Sequence, residues 1–129
     1  MPIYCYDHIH LLSPDPEKTA RFYEKMFNAE IINSAKRPDG RTSVALDLYG
    51  SRILIINREC KITVDPMNEP FYGINHFGIK TDNLEEAVAD LKTKGVKFTG
   101  GIRTIPSGAK ITFLLAPDNV SIELLEEAK

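Results

Sequence analysis

Three histidines and one glutamate are the residues of this chain whose types and spacing suit chemistry. His8 and His10 are two apart in an aromatic and aliphatic segment, Tyr4 to Leu12, that reads as a strand, so their side chains share a face. His76 stands in a second such segment, Ile74 to Thr81, and is the third and last histidine. Glu123 sits inside Ser121-Ile122-Glu123-Leu124-Leu125. A carboxylate among aliphatic neighbours must be paired, exposed at an edge or bound to a cation, because burying it alone is costly. A lone strand histidine is ordinarily a hydrogen-bonded packing residue, so the case for chemistry rests on how these four are placed. Two imidazoles and one carboxylate converging from separate strands would make a three-donor site with open positions. Such a site suits Fe(II), Mn(II), Zn(II), Co(II) or Ni(II), and spacing does not choose among them. Glu126 and Glu127 form a bland contrast, a terminal acidic pair expected to be solvated.

The elements that must position these residues follow from turn and cap signals. Ser13-Pro14-Asp15-Pro16 stops the first strand; Asp15 suits an N-cap, Pro16 the first helical position and Glu17 the positive helix end. The next segment carries Thr19, Phe22, Tyr23, Met26 and Phe27 at helical spacing and should end near Asn28. Strands are then expected over Glu30–Ser34, Thr42–Leu48 and Arg52–Ile56, an antiparallel meander split by Asp39-Gly40 and Gly50-Ser51. From Asn57 to Tyr72 the pattern lapses, and Pro66, Asn68 and Pro70 mark a linker.

The same order then returns. After the strand at Ile74–Thr81, Asp82 with Glu85 makes a start resembling a capping box. Leu84, Ala87, Val88 and Leu91 share a helical face, and Gly95 is a natural C-cap. Lys97–Thr99, Lys110–Leu115 and Ser121–Leu125 supply three more strands. Sliding one half over the other by 68 residues puts His8 on His76, Asp15 on Asn83, Glu17 on Glu85 and Tyr23 on Leu91. The chain therefore reads as one β-α-β-β-β unit written twice, over 3–58 and 72–127, joined by a linker at 59–71 within a single domain, 1–129. A small four-stranded sheet with one helix covers only one of its faces, so two such units, side by side or exchanged between chains, should shape a cleft. The expected class is α+β, with curved mixed sheets around that cleft.

Composition narrows the function classes. With 129 residues, 43% hydrophobic and 26% charged, the chain has the make-up of one globular domain. A net charge of -2 leaves no basic footprint for nucleic acid. Met1 to Tyr6 lacks the charged region of a signal peptide, and no apolar run approaches the roughly 20 residues of a membrane helix. Cys5 and Cys60 have no metal-ligand or redox spacing and read as reduced packing residues of a cytoplasmic protein.

These landmarks resemble the vicinal oxygen chelate superfamily, which holds glyoxalase I, bleomycin-resistance proteins, extradiol dioxygenases, fosfomycin-resistance enzymes and methylmalonyl-CoA epimerase. The match runs through Tyr6-Asp7-His8-Ile9, Ser13-Pro14-Asp15-Pro16-Glu17-Lys18 and Arg21-Phe22-Tyr23. It continues through Gly73-Ile74-Asn75-His76-Phe77 and Asp82-Asn83-Leu84-Glu85-Glu86-Ala87, and closes on Ala116-Pro117-Asp118-Asn119-Val120-Ser121-Ile122-Glu123-Leu124. The resemblance implies that His8, His76 and Glu123 bind one divalent metal ion. Many members carry a fourth donor, Glu or Gln, in the last strand of the first unit. Here the equivalent is Leu54 or Ile55, depending on register, and neither binds metal. That departure points away from the usual four-donor glyoxalase I or epimerase site. It leaves open the three-donor arrangement of dioxygenases and fosfomycin-resistance enzymes, and equally a protein that has lost its metal and only binds a ligand, as bleomycin-resistance proteins do.

The expected function is that of a metal-dependent lyase, isomerase or dioxygenase acting on a small oxygen-chelating substrate. The alternative is a metal-free binding or drug-sequestering protein of the bleomycin-resistance type. His10, facing the same cleft, would orient a ligand or act as acid or base. Arg41, Arg103 and Lys110 are the cations expected to receive an anionic substrate group. Asp39 and Asp47 are the nearest candidates for a second carboxylate base, with turn and solvent roles as their ordinary reading. A homodimer is expected, with no nucleic-acid or membrane partner.

Overall fold

The computed structural model describes residues 1–60, 63, 65, 66 and 72–129. They fall into two compact units, Met1–Lys61 and Ile62–Lys129, and the class is α+β. Most of the expected linker, namely 61, 62, 64 and 67–71, lies outside the described residues.

In the first unit β1 (His8–Ser13) leads to α1 (Pro16–Phe27), then β2 (Glu30–Lys36), β3 (Thr42–Leu48) and β4 (Ser51–Asn57). The sheet order is β1-β4-β3-β2, with β1 parallel to β4 and the other pairs antiparallel. Asp15 starts the helix: Lys18 N–H donates to its Oδ1 at 3.2 Å, Pro16 occupies the first turn, and Asn28 ends the helix in the left-handed conformation. Ser13, buried at the end of β1, pairs its hydroxyl with Thr19 Oγ1 at 2.6 Å and accepts the Asp15 N–H at 3.0 Å, tying strand to helix. Replacing Asp15 by Ala removes a cap and is expected to cost about 1 kcal/mol in denaturant unfolding; an unchanged midpoint would deny the cap its role.

Alternation assigns the two faces of this sheet. Ile53 and Ile55 of β4 pair with Leu46 and Val44 of β3, and all four are buried together with Ala20 and Tyr23 of α1. The opposite face carries His8, His10 and Leu12, whose partners in β4 are Arg52, Leu54 and Ile56.

The second unit repeats the plan with β5 (Phe77–Lys80), α2 (Leu84–Thr93), β6 (Lys97–Phe98), β7 (Arg103–Thr104), β8 (Lys110–Leu115), a 3₁₀ turn at Pro117–Asn119, and β9 (Ser121–Glu126). Its path is β5-β9-β8-β6, with β7 also on β8 and β5 parallel to β9. Both β6 and β7 run antiparallel to β8, at Leu114–Leu115 and at Lys110–Ile111 respectively. They are one edge strand broken by the Gly100-Gly101 segment, where the first unit has the unbroken β2. Leu84, Val88 and Leu91 of α2 are buried, as are Ile111, Leu114, Ile122 and Leu124 of the sheet. Among the described residues no helix is long and apolar enough to cross a membrane.

Several local expectations shift. The opening strands start at His8 and Phe77, later than Tyr4 and Ile74, because among the described residues each is an edge paired only with the unit's last strand. Their first partners are Arg52 and Ile122, beside the turns that begin those strands. The cap of α2 is Asn83, whose Oδ1 accepts Glu86 N–H at 3.1 Å, rather than Asp82. The C-cap is Lys94, and Gly95 follows it at a φ of +85°, which suits a residue without Cβ. Glu126 is not merely solvated: its Oε1 accepts Leu84 N–H at 2.8 Å at the start of α2, while Glu127 pairs with Lys80 at 3.3 Å. Cys5 and Cys60 are free and exposed rather than packed, since both lie outside the strands.

Candidate metal centre

In the second unit the geometry brings His76 and Glu123 together. Glu123 lies on β9 between buried Ile122 and Leu124, so alternation turns it to the face opposite α2. Its partner across β8 is Phe113 and across β5 is Gly78. His76, two residues before Gly78, falls on the same face, and its Nε2 stands 3.5 Å from Glu123 Oε2. The imidazole meets the Phe113 ring edge-to-face, with centroids 5.0 Å apart and planes at 89°. His76 Nδ1 is 2.8 Å from Asn75 Oδ1, an acceptor, so the ring nitrogen donates there and Nε2 is turned toward the carboxylate. Side-chain exposures of 31% for His76 and 20% for Glu123 leave the pair reachable yet partly desolvated.

His8 has a matching local arrangement in the first unit. Its Nδ1 donates to Asp7 Oδ2 at 2.6 Å. That hydrogen bond is the chief reason the Asp7 carboxyl lies below the usual carboxylate range; attraction to His8 and Arg52 adds to it and desolvation opposes it. His10 is exposed on the same face as His8 and makes no side-chain hydrogen bond or ion pair among the described residues.

Strand register decides whether Leu54 or Ile55 is the counterpart of Glu123. In the second unit Glu123 pairs with Gly78, two residues after His76; in the first, the residue paired with His10, two after His8, is Leu54. Leu54 rather than buried Ile55 is therefore the counterpart of Glu123, and an isobutyl group stands where a carboxylate would reach the same face.

The cations separate by face. Arg103 pairs across β8 with Ile111, which pairs with Leu125, two residues from Glu123, so Arg103 shares the Glu123 face. It is exposed and in no ion pair among the described residues. Lys110 points the other way, to the α2 side, and its Nζ is 3.3 Å from Glu85 Oε1. Arg41 is paired through Nε with Asp39 at 3.3 Å, and Asp39 also accepts Arg41 N–H at 3.0 Å, so both serve the turn before β3. Asp47 accepts Gly50 N–H at 3.2 Å in the β3–β4 turn.

The donor set suits a divalent ion. An imidazole nitrogen and a carboxylate oxygen 3.5 Å apart can both reach one ion at bond lengths of about 2.0–2.2 Å. The Nδ1 contacts at His8 and His76 supply the outer hydrogen bonds that metal-binding histidines ordinarily have. Among the described residues no three His, Cys, Asp or Glu side chains are gathered into a group that could hold a metal ion. Sequence reasoning did not single out Asp7 and Asn75, although both stand just before the paired histidines.

Comparison with known proteins gives a consistent picture. Residues 6–124 match the model of the Glyoxalase/Bleomycin resistance protein/Dioxygenase superfamily. The chain is 29% identical over 122 residues to the uncharacterized protein YwkD of Bacillus subtilis, covering 93% of this chain and 94% of that one. It is 26% identical over 124 residues to the mitochondrial methylmalonyl-CoA epimerase of Homo sapiens, covering 93% and 70% of the two. Among solved structures, the E126Q mutant of the fosfomycin resistance protein FosX from Listeria monocytogenes, complexed with Mn(II) and 1S,2S-dihydroxypropylphosphonic acid, superposes with a TM-score of 0.73. That match has 23% identity and covers 99% of this chain and 94% of that one.

Proposed function

Because the chain belongs to the Glyoxalase/Bleomycin resistance protein/Dioxygenase superfamily, we propose that it is a divalent-metal-dependent enzyme acting on a small substrate with two adjacent oxygens. His76 and Glu123 hold the ion, with His8 as the third donor. The observation that carries this reading is the His76–Glu123 pair, whose facing nitrogen and oxygen stand 3.5 Å apart on a half-exposed sheet face. The solved FosX complex with Mn(II) and a small phosphonate supports it. Leucine at position 54 favours three donors over four, and so a site with more positions left for substrate oxygens.

A bound Lewis acid stabilises negative charge on the substrate oxygens it holds. The protein's own contributions are separate. His76, wedged against Phe113 and held through Nδ1, presents Nε2 in a fixed direction. Glu123 supplies the negative charge of the donor set from a partly desolvated position. His10, on the His8 face and free of other partners among the described residues, moves a proton to or from substrate. Arg103 offers its guanidinium to an anionic substrate group on the Glu123 face. The reading extends to a homodimer, in which a chain of only two units completes its sheets against another copy, and, from the two unpaired cysteines, to a cytoplasmic location.

The test is turnover by chelator-stripped protein and by protein reloaded with Mn(II), Fe(II), Co(II), Ni(II) or Zn(II). The substrates are thiol adducts, catechols and acyl-CoA thioesters. Turnover is expected only in reloaded protein. Equal ligand binding by stripped and reloaded protein, with no turnover in either, would overturn the proposal in favour of a metal-free binding protein.

A further inference from the structure

We propose that Asp7 and Asn75 are a duplicated pair of positioning residues that hold His8 and His76 with the ring hydrogen on Nδ1 and the Nε2 lone pair presented to the metal. The inference rests on the metal reading above and goes beyond it, to residues outside the donor set. Two contacts carry it: Asp7 Oδ2 to His8 Nδ1 at 2.6 Å and Asn75 Oδ1 to His76 Nδ1 at 2.8 Å. The two acceptors occupy the same place in the two copies, separated by the same 68 residues as His8 and His76.

Both acceptors are oxygens with no hydrogen to give, a carboxylate in one copy and an amide carbonyl in the other. Each contact therefore requires the hydrogen on Nδ1. A free histidine side chain in water favours the opposite tautomer, with the hydrogen on Nε2. The structure thus sets both rings against their solution preference, twice, at equivalent positions. At His76 the freed Nε2 faces a second acceptor, Glu123 Oε2, at 3.5 Å. In a neutral ring two lone-pair-bearing atoms then face each other, an arrangement that a cation between them makes favourable. Packing gives no other reason for the clamps: Asp7, His8 and Asn75 are all exposed.

The two clamps differ in charge. A carboxylate pushes electron density into the ring it accepts from, and an amide does so less, so His8 is the stronger donor of the two. Swapping the chemistry should move donor strength without disturbing the fold, because both side chains lie outside the strands.

The experiment uses the whole chain, free of metal, with its histidine rings assigned by long-range proton–nitrogen correlation at pH 8. Mn(II) affinity is then measured by equilibrium dialysis for wild type, Asp7→Ala, Asp7→Asn and Asn75→Ala. Both wild-type rings are expected to carry hydrogen on Nδ1. Asp7→Ala should shift His8 alone, and Asn75→Ala His76 alone, toward hydrogen on Nε2, each with a loss of about 10- to 100-fold in Mn(II) affinity. Asp7→Asn should restore the His8 tautomer and part of the affinity, which a purely structural role would not do. A wild-type ring with its hydrogen on Nε2, or alanine variants with unchanged tautomers and affinity, would overturn the proposal. A wild-type chain with both rings protonated at Nδ1 that takes up no Mn(II) overturns the metal reading and the donor role together, yet upholds the tautomer assignment.

Discussion

Replacing Glu123 by Gln is expected to abolish metal-dependent stabilisation while leaving the metal-free protein at least as stable as wild type. In the metal-free chain with the His76 ring neutral, its Nε2 lone pair faces a carboxylate oxygen 3.5 Å away, and neither atom can donate. Glutamine keeps the shape and brings an amide N–H that can donate to Nε2. A net hydrogen bond is worth about 0.5–1.5 kcal/mol, so the metal-free variant should unfold at an equal or higher temperature. With metal the order reverses. An ion present at a hundred times its Kd stabilises wild type by about 2.7 kcal/mol, and loss of the only carboxylate donor should remove that gain. Thermal unfolding with and without Mn(II) reads both halves. A variant that keeps the metal-induced shift would show that Glu123 does not hold the ion.

The second large effect lies in the core. Ile55→Ala is expected to lower stability by about 2–5 kcal/mol, a substantial part of the 5–15 kcal/mol that holds a domain of this kind together. Ile55 is fully buried, pairs with Val44 and Leu11, and lies on the helix-covered face of the first sheet. The next residue back tests the face assignment. Leu54 points to the opposite face and is only half-buried, so Leu54→Ala should cost much less. Urea unfolding of the two variants side by side decides it. Equal losses would mean that the alternation along β4 is misassigned, and with it the identification of Leu54 as the counterpart of Glu123.

Much of this architecture was legible because the chain writes it twice. Strong local signals carried α1: Asp15, Pro16 and Asn28 mark its ends, and the observed helix spans Pro16–Phe27 between them. The 68-residue offset was a better guide to α2 than its own first turn. It matched Asn83 to Asp15, and Asn83 is the cap, whereas the box-like Asp82 and Glu85 pattern pointed one residue too early. Strand starts were less legible, since Tyr4 and Ile74 have strand-forming side chains but, among the described residues, no strand beside them to pair with. The short β7 was missed because Arg103-Thr104 has no periodicity, and its pairing with β8 is a tertiary fact.

The site divided along the same line. His8, His10, His76 and Glu123 stood out by residue type, and within the second unit His76 and Glu123 meet. The choice between Leu54 and Ile55 could not be made from composition, because every residue of Ile53-Leu54-Ile55-Ile56 is aliphatic; pairing with His10 decides it. Which lysine or arginine shares a face with Glu123 was equally hidden. Arg103 does and Lys110 does not, a distinction set by strand register and by the pull of Glu85. Asp7 and Asn75 were visible as neighbours of the paired histidines, yet only the ring contacts reveal what they do.

Metal stoichiometry reads directly whether His76 and Glu123 belong to a metal centre. Purified chain would be dialysed against Mn(II), Fe(II), Ni(II) or Zn(II), freed of loose ion and analysed by elemental mass spectrometry. About one tightly held ion per chain is expected in wild type and none in His76→Ala. A wild-type chain that stays empty after all four incubations, or a His76→Ala chain that keeps a full complement, would contradict it.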